Sequence, residues 1–179
     1  MLKLLAIVLG AVVLGLAGIA AYAAVTQPDT FRVTRSLEMS APPEKIYSIL
    51  SDLRRSPEWS PYEKKDPDMK RSFSGAPAGK GAIYEWDGDS NVGAGRIEIS
   101  EAVPAKHVQL RLDMLRPFEA NNTVEYKLQP KGSSTQVSWD MHGPMPFISK
   151  VMCVFVDLDK MVGKDFEEGL ASLKMLVEK

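Results

Sequence analysis

Three residues of this 179-residue chain carry side chains that could do acid–base chemistry from a predicted sheet, namely Tyr84, Glu85 and Asp113. A positioned phenol or carboxylate can move a proton to or from a substrate when its surroundings shift its pKa suitably. Glu85 and Asp113 alternate with apolar neighbours, so we expect both to point to the solvated face of their strands. The sequence therefore supplies candidates for catalysis but no assembled catalytic set.

Other patterns of reactive residues are absent from the sequence. It contains neither a Gly-x-Ser-x-Gly turn nor a glycine loop that could cradle phosphate, and no residues at metal-ligand spacing. Cys153, the single cysteine, lies in an apolar helical pattern, where a thiol usually behaves as a small hydrophobe. A net charge of -1 provides no field for wrapping polyanions. We therefore expect no metal, no cofactor and no nucleic-acid partner.

The elements that would position Tyr84, Glu85 and Asp113 are visible as alternating apolar residues. Alternation from Phe31 to Met39 predicts a first strand, and Pro42-Pro43 then predicts the start of a helix. A short strand is predicted near residues 69–73. Five further alternating stretches follow, at 82–87, 95–103, 107–115, 122–128 and 137–141. Strands at this spacing with tight turns are typical of an antiparallel meander.

A long amphipathic helix is predicted towards the end of the sequence. Apolar residues hold helical spacing from Val151 to Leu176, which is about seven turns, and Gly163 is a candidate bend. A strand, one or two short helices, about six further strands and this helix make an α+β domain. The helix must cover the apolar face of the sheet.

An uncharged apolar stretch runs from Leu4 to Val25. As a helix its roughly 22 residues reach about 33 Å, enough to cross a hydrocarbon core of about 30 Å. We therefore favour a single-pass transmembrane anchor over residues 1–25, a linker over 26–30 and a folded domain over 31–179.

A cleaved signal peptide is the alternative to this anchor. Ala21-Tyr22-Ala23 fits a small-x-small cleavage site, although the apolar stretch is longer than a usual signal core. Lys3 favours an orientation with the domain outside the cytoplasm. We expect the domain to be held at the membrane on that side or, after cleavage, to be secreted or periplasmic.

Several motifs in the chain resemble the SRPBCC superfamily, which groups START-like lipid-binding domains with polyketide cyclase/dehydrase-like proteins. The motifs are Arg35-Ser36, Ala41-Pro42-Pro43-Glu44, Trp59-Ser60-Pro61, the glycine, tyrosine and tryptophan pattern of residues 81–88, and residues 161–170. The resemblance covers roughly residues 31–179. It implies a helix-grip fold of the START/Bet v 1-like kind, in which a curved sheet of about seven antiparallel strands wraps around a long C-terminal helix. It also implies a deep apolar cavity between the sheet and the helix, which does not by itself decide the function.

Aromatic and methionine side chains on the inward faces would line this cavity. The expected lining residues are Trp59, Tyr84, Trp86, Leu112, Met114, Trp139, Met141, Phe155, Leu158 and Met161. Methionine supplies a soft wall that adapts to irregular apolar ligands. For any one of these residues, packing in a closed core is an equally good interpretation, and Trp59 in particular could be a gate or a core plug.

Three hypotheses about function follow. The first is a non-enzymatic domain at the membrane that binds or transfers a hydrophobic or amphipathic small molecule, such as a lipid or a polyketide-like compound. The second is a cyclase- or dehydratase-like enzyme that uses Tyr84, Glu85 or Asp113, which requires at least one of them inside the cavity with a shifted pKa. The third is a protein-interaction module, which requires a large exposed apolar patch outside the cavity.

Overall fold

Seven antiparallel strands form one sheet, and the helices pack on it or extend from it. The structure is a computed structural model that describes the backbone of residues 1–179 and the side chains of all of them except Leu2. The helices are α1 (Leu2–Thr26), α2 (Pro43–Leu50), α3 (Pro61–Lys65), α4 (Phe147–Cys153) and α5 (Leu158–Val177), with a 3-10 helix at Leu53–Glu58. The strands are β1 (Thr30–Met39), β2 (Lys70–Gly75), β3 (Ala82–Asp87), β4 (Ala94–Val103), β5 (His107–Arg116), β6 (Ala120–Lys131) and β7 (Ser134–Pro144).

The strand order is β1-β7-β6-β5-β4-β3-β2. Strands β2 to β7 follow one another as a meander, and β1 joins the sheet beside β7, with Thr30 opposite Pro144 and Met39 opposite Thr135. Register shifts between Ala94 and Gly95 and between Ile99 and Glu101 interrupt the β4–β5 pairing, and such irregularities bend a sheet. The predicted α+β architecture and the antiparallel meander are confirmed.

Short helices close one end of the sheet, and proline and acidic residues mark where these helices start. Pro43 occupies the first turn of α2 and Pro61 the first turn of α3, where a missing N–H costs nothing. The Asp52 carboxylate accepts a hydrogen bond from the Arg54 N–H and so caps the start of the 3-10 helix. The end of the 3-10 helix carries Trp59, and α3 carries Glu63, over the concave face of the sheet.

Helix α5 covers the sheet with the apolar stripe that its spacing predicts. Phe166, Leu170, Leu173 and Val177 are buried in the core. Gly163, the candidate bend, lies within a continuous helix instead. Its role is to leave room for Arg35 of β1, because a Cβ on Gly163 would come within 2.0 Å of Arg35 Nη2.

The long C-terminal helix is confirmed, but it begins later than the spacing predicts. Residues 154–157 separate α4 from α5. Asp157 has extended backbone, and its carboxylate accepts a 3.1 Å hydrogen bond from the Lys160 N–H, so a new helix starts there. The apolar spacing continues through residues 154–157 because α4 is apolar as well. The apolar residues of α4 pack against α1, however, whereas those of α5 pack against the sheet.

Helix α1 is long and apolar enough to cross a membrane from Lys3 to Thr26, and a signal sequence would meet the same criteria. Most of its side chains are exposed, but Ala23 is fully buried, and Ile19 and Ala20 are half-buried. The helix packs against α4. The C-terminal turns of α1 are therefore in contact with the folded domain.

Candidate functional site: an aromatic cavity beneath α5

A cavity of about 300 Å³ lies between the concave face of the sheet and the helices that cover it. Strands β3 to β7 supply its floor, and α2, the 3-10 turn, α3 and α5 supply its cover. Its volume is at the lower end of the range of about 300–1,000 Å³ that small-molecule sites occupy. The lining is mainly apolar and aromatic, as such sites are.

The floor is built from residues that face one another across neighbouring strands. Tyr84 of β3 is opposite Ile97 of β4, Ile97 is opposite Leu112 of β5, and Leu112 is opposite Asn122 of β6. Because paired residues point to the same side of a sheet, all four reach the cavity. Trp86 lies over Gly95 of β4, where a Cβ would come within 2.6 Å of the indole ring.

The wall beneath α5 is a cluster of four aromatic rings. Trp139 stacks on Phe166 with ring centroids 4.1 Å apart, and Trp59 meets Trp139 edge-on at 5.4 Å. Tyr126 lies 5.9 Å from Trp59 and 5.2 Å from Trp139. Contacts of this kind contribute about 0.5–1.5 kcal/mol each beyond burial, so this wall is held in place before any ligand binds.

A buried carboxylate forms the polar corner of the cavity. Glu63 of α3 has a side chain 4% exposed, and Arg71 Nε on β2 lies 2.7 Å from its Oε2. The Tyr84 hydroxyl donates a 2.6 Å hydrogen bond to Glu63 Oε1. Burial and the neighbouring Glu63 raise the pKa of Tyr84, so the hydroxyl stays protonated at neutral pH.

Three buried polar atoms of the cavity residues have no hydrogen-bond partner within the described part of the chain. They are the indole Nε1 of Trp59, the indole Nε1 of Trp139 and the amide Oδ1 of Asn122. Buried polar groups are usually paired, because an unpaired one costs about 1–3 kcal/mol. The three residues line the cavity, but these three atoms are themselves closed off from its open space.

A second cavity of about 220 Å³ adjoins the first one towards α4. Asn122 and Met141 line both cavities and separate them. Gly143 lies opposite this boundary, and a Cβ there would come within 2.2 Å of Asn122 Oδ1. The mouth of the second cavity is formed by residues such as Phe118, Met152 and Val156.

The structure distributes the ten predicted lining residues unequally. Trp59, Tyr84, Trp86, Leu112, Met114, Trp139 and Met141 surround the first cavity. Leu158 and Met161, together with Met141, line the second. Phe155 lies in the segment between α4 and α5, is 70% exposed and lines neither cavity. Trp59 is both a cavity residue and a core residue, since it is only 4% exposed.

The three predicted acid–base candidates are not brought together. Glu85 is exposed, and Asp113 pairs with Arg111, with 3.0 Å between Asp113 Oδ2 and Arg111 Nε, and accepts a hydrogen bond from Asn121. Tyr84 alone reaches the cavity. Its carboxylate partner is Glu63, which sequence reasoning missed. Glu63 follows Pro61 in the first turn of a short helix, and the local pattern there does not distinguish a buried carboxylate from an exposed one.

Sequence reasoning also missed the contributions of Tyr126, Asn122 and Phe166 to the lining. All three occupy inward positions of correctly predicted elements, so alternation and helical spacing could have identified them. Among the side chains that the structure describes, no group of three or more histidine, cysteine, aspartate or glutamate residues could hold a metal ion.

Comparison with known families gives one match over most of the chain. Residues 30–178 match the family described as polyketide cyclase/dehydrase and lipid transport. No curated protein sequence matches the chain.

Solved structures share the fold at low sequence identity. Protein CV1439 from Chromobacterium violaceum is 18% identical, with a TM-score of 0.58 over 86% of this chain and 99% of that one. The Aha1 dimer protein from Colwellia psychrerythraea is 17% identical, with a TM-score of 0.60 over 83% of this chain and 96% of that one. The di-domain aromatase/cyclase StfQ of the steffimycin biosynthetic pathway is 11% identical, with a TM-score of 0.60 over 83% of this chain and 51% of that one, so the chain spans about half of StfQ. The helix-grip fold is therefore confirmed.

Proposed function

The chain belongs to the polyketide cyclase/dehydrase and lipid transport family, and from this premise we propose that its cavity binds a hydrophobic or amphipathic small molecule at the membrane. The ligand would be a lipid or a polyketide-like compound, and the protein would hold or transfer it without changing it. The observation that carries the proposal is the aromatic cavity, whose walls pack firmly while leaving about 300 Å³ open.

The balance of apolar and polar groups supports a ligand with an apolar body. Most lining side chains are aliphatic, aromatic or methionine, so burying apolar ligand surface would supply most of the binding free energy, at about 25 cal/mol for each Å². The volume favours one ring system or one chain over a lipid with two long chains.

The polar corner of the cavity supports a ligand that also carries oxygen. The Tyr84 hydroxyl can both donate and accept a hydrogen bond, so it could pair with a carbonyl or hydroxyl oxygen of the ligand. Discrimination by such a group is strong, because an analogue that lacks the oxygen leaves the protein atom unpaired.

Native mass spectrometry of the full chain released from detergent micelles tests this function. We expect a co-purifying small molecule, and Leu112→Trp should reduce its occupancy because the larger side chain fills the cavity floor. The matched control is Met175→Trp, at an exposed position of α5. A wild-type chain that carries no small molecule and takes up no palmitic acid would contradict the proposal.

One observation favours a second candidate function, a cyclase- or dehydratase-like reaction. A protonated phenol and a carboxylate lie 2.6 Å apart at the cavity wall, and such a pair can donate and accept protons. On this hypothesis Tyr84 would donate to a ligand carbonyl and Glu63 would take a proton from a neighbouring carbon. Incubation with a linear poly-β-ketone thioester separates the two functions. Turnover that Glu63→Gln abolishes would support the enzyme, whereas binding without turnover would support the carrier.

A further inference from the structure

A group of exposed apolar side chains lies on helix α4 and in the segments beside it. This group, called the α4 patch below, consists of Phe118, Phe147, Ile148, Met152, Phe155 and Val156. Each of these side chains is between 42% and 70% exposed. Phe118 comes from the turn after β5, yet it lines the second cavity together with Met152 and Val156, so the patch is continuous across both segments. Soluble monomers rarely expose a contiguous apolar surface of this kind without a partner.

The position of α1 indicates what covers the α4 patch. The C-terminal turns of α1 pack against α4, with Ala23 fully buried and Ala20 half-buried. With a rise of about 1.5 Å for each residue, Ala20 lies about 8 Å before Val25 along the helix axis. If Leu4 to Val25 spans the bilayer, α4 therefore lies at the depth of the headgroup and acyl boundary. Interfacial helices bury their apolar faces about 5–10 Å into that boundary.

The charge within α4 itself agrees with this placement. Lys150, the one charged residue within α4, has a side chain only 12% exposed, and its Nζ lies 2.6 Å from Asp29 Oδ1 in the segment that links α1 to β1. Its charge is thus turned away from the exposed face and used to fix α4 beside α1. At the start of α5, Lys160 forms an ion pair with Asp157, with 3.2 Å between Lys160 Nζ and Asp157 Oδ2, so the two charges at this edge of the patch offset each other.

The second cavity opens within the same patch. Its lining joins the patch to Asn122 and Met141, which also line the first cavity. The two cavities are therefore neighbours, with the Asn122 and Met141 side chains between them. Methionine can move aside at low cost because its side chain is unbranched and flexible.

We infer that the α4 patch inserts into the surface of the same bilayer that α1 crosses, so that the second cavity opens onto lipid. An apolar molecule would then pass between the bilayer and the aromatic cavity without crossing water. The insertion itself is independent of the proposed ligand binding, whereas the passage of a ligand rests on that function.

Depth measurements at single labelled positions test the insertion. The full chain, with Cys153→Ser to remove the native thiol, carries Ile148→Cys in the α4 patch and is labelled with an environment-sensitive nitrobenzoxadiazole dye. The matched control is Ser133→Cys, an exposed position in the β6–β7 turn, which lies at the opposite end of β6 from the patch. Both proteins are reconstituted in phosphatidylcholine vesicles that contain nitroxide-labelled phosphatidylcholine.

Lipid nitroxide should quench the dye at position 148 several-fold more than the dye at position 133, and iodide in the buffer should show the reverse order. Phe155→Asp with Val156→Asp should move the position 148 values towards those at position 133. Met175→Asp, at an exposed apolar position outside the patch, should not. Vesicle sedimentation would not be informative, since α1 alone can hold the chain to a bilayer.

Two outcomes would overturn the insertion. Equal quenching by iodide at positions 148 and 133 would place the patch in water, and protection from both quenchers would show that protein covers it, either a second copy or another partner. These outcomes are distinguishable from failure of the proposed function. A chain that keeps its bound molecule without lipid quenching overturns the insertion alone, and a quenched chain that binds no molecule overturns the ligand-binding proposal alone.

Discussion

The Tyr84 hydroxyl donates a 2.6 Å hydrogen bond to Glu63 Oε1, at a position where the Glu63 side chain is almost completely removed from solvent. The other carboxylate oxygen lies 2.7 Å from Arg71 Nε. The carboxylate thus has a charged partner on its outer side and a neutral donor on its cavity side. This asymmetry leaves the tyrosine as the partner that a ligand could displace.

Tyr84→Phe should lower the free energy of unfolding by about 1.5–3 kcal/mol, because it removes a hydrogen bond to a charged group. Arg71→Ala should cost more, about 3–5 kcal/mol, since it leaves a buried carboxylate without its cation. Urea titration in detergent micelles, followed by circular dichroism, measures both. Tyr47→Phe, at a half-buried tyrosine outside this pair, is the control. An Arg71→Ala chain as stable as Tyr84→Phe would show that Glu63 does not need the ion pair.

Trp59 can be tested without removing its packing. Trp59→Phe shortens a side chain that lines the cavity but keeps an aromatic ring against Tyr126 and Trp139. We expect ligand affinity to fall by about tenfold, equivalent to roughly 1.4 kcal/mol, and stability to change less than it does in Trp59→Ala. Trp59→Ala itself should cost about 3–5 kcal/mol, since it leaves a cavity in the core. Unchanged affinity in Trp59→Phe, measured by titration of the co-purifying molecule, would identify Trp59 as a core plug.

The effect of Gly163→Ala on stability should change sign when Arg35 is removed. Arg35 reaches Asp159 and Glu167, one helical turn on either side of Gly163, with hydrogen bonds of 2.8 Å to each. Gly163→Ala in an ordinary helix would add about 1 kcal/mol of stability. Here it should lower stability by about 1–3 kcal/mol, because the new Cβ overlaps the guanidinium.

In an Arg35→Ala background, the same Gly163→Ala substitution should become stabilising. Thermal unfolding of the four proteins gives the coupling energy between the two sites. Ala171→Gly, at an exposed position of α5, controls for helix propensity and should cost about 1 kcal/mol. Additive effects at positions 35 and 163 would show that the helix and strand move apart to accept the methyl group.

Asp140 should make the fold sensitive to acid. Burial by itself raises the pKa of Asp140, but hydrogen bonds from Thr34 at 2.6 Å and from His142, with the Arg32 charge 3.0 Å away, outweigh it and hold the pKa below 3.8. Because the folded-state pKa is the lower one, this contribution to stability is present above pH 3.8 and is lost as the pH falls through the folded-state pKa.

The difference in stability between the wild type and Asp140→Asn should therefore shrink as the pH falls from about 5 to about 2. Thr34→Val, which removes one of the hydrogen bonds, should show part of the same effect. Urea midpoints across this range provide the measurement. A constant difference at every pH would mean that the Asp140 carboxylate is not stabilised in the folded state.

Most of the fold could be predicted because burial repeats along the chain with a simple period. Alternation in 107–115 and 122–128 and helical spacing in 158–176 reflect which side of an element faces the core. The interruption before Asp157 could not be predicted in this way, because the apolar spacing continues through residues 154–157 while the buried partner changes from α1 to the sheet. The cap at Asp157 is a local signal for the start of a new helix, but the continuous apolar spacing around it predicts a single helix.

The candidate site was less predictable than the fold. Inward alternation identifies Tyr84 and Trp139, but the burial of Glu63 depends on how α3 packs against β2 and β3. That placement is set by contacts between distant parts of the chain, including the ion pair of Lys65 with Asp165 across α3 and α5. Phe155 shows the reverse error, since an apolar residue in helical spacing was expected inside and the structure places it outside.

Strand β1 follows α1 directly, yet it pairs with β7 and packs against α5, which come roughly a hundred residues later in the chain. During synthesis β1 is therefore available long before its neighbours are. The domain cannot close its sheet until β7 and α5 have also been made, and in an exported protein until they have been translocated. Through that interval the apolar strands of a half-made sheet would be exposed to aggregation, and if α1 is a membrane anchor they would be exposed close to the lipid surface. The nascent chain of this fold would therefore benefit from protection from its first strand to its last helix.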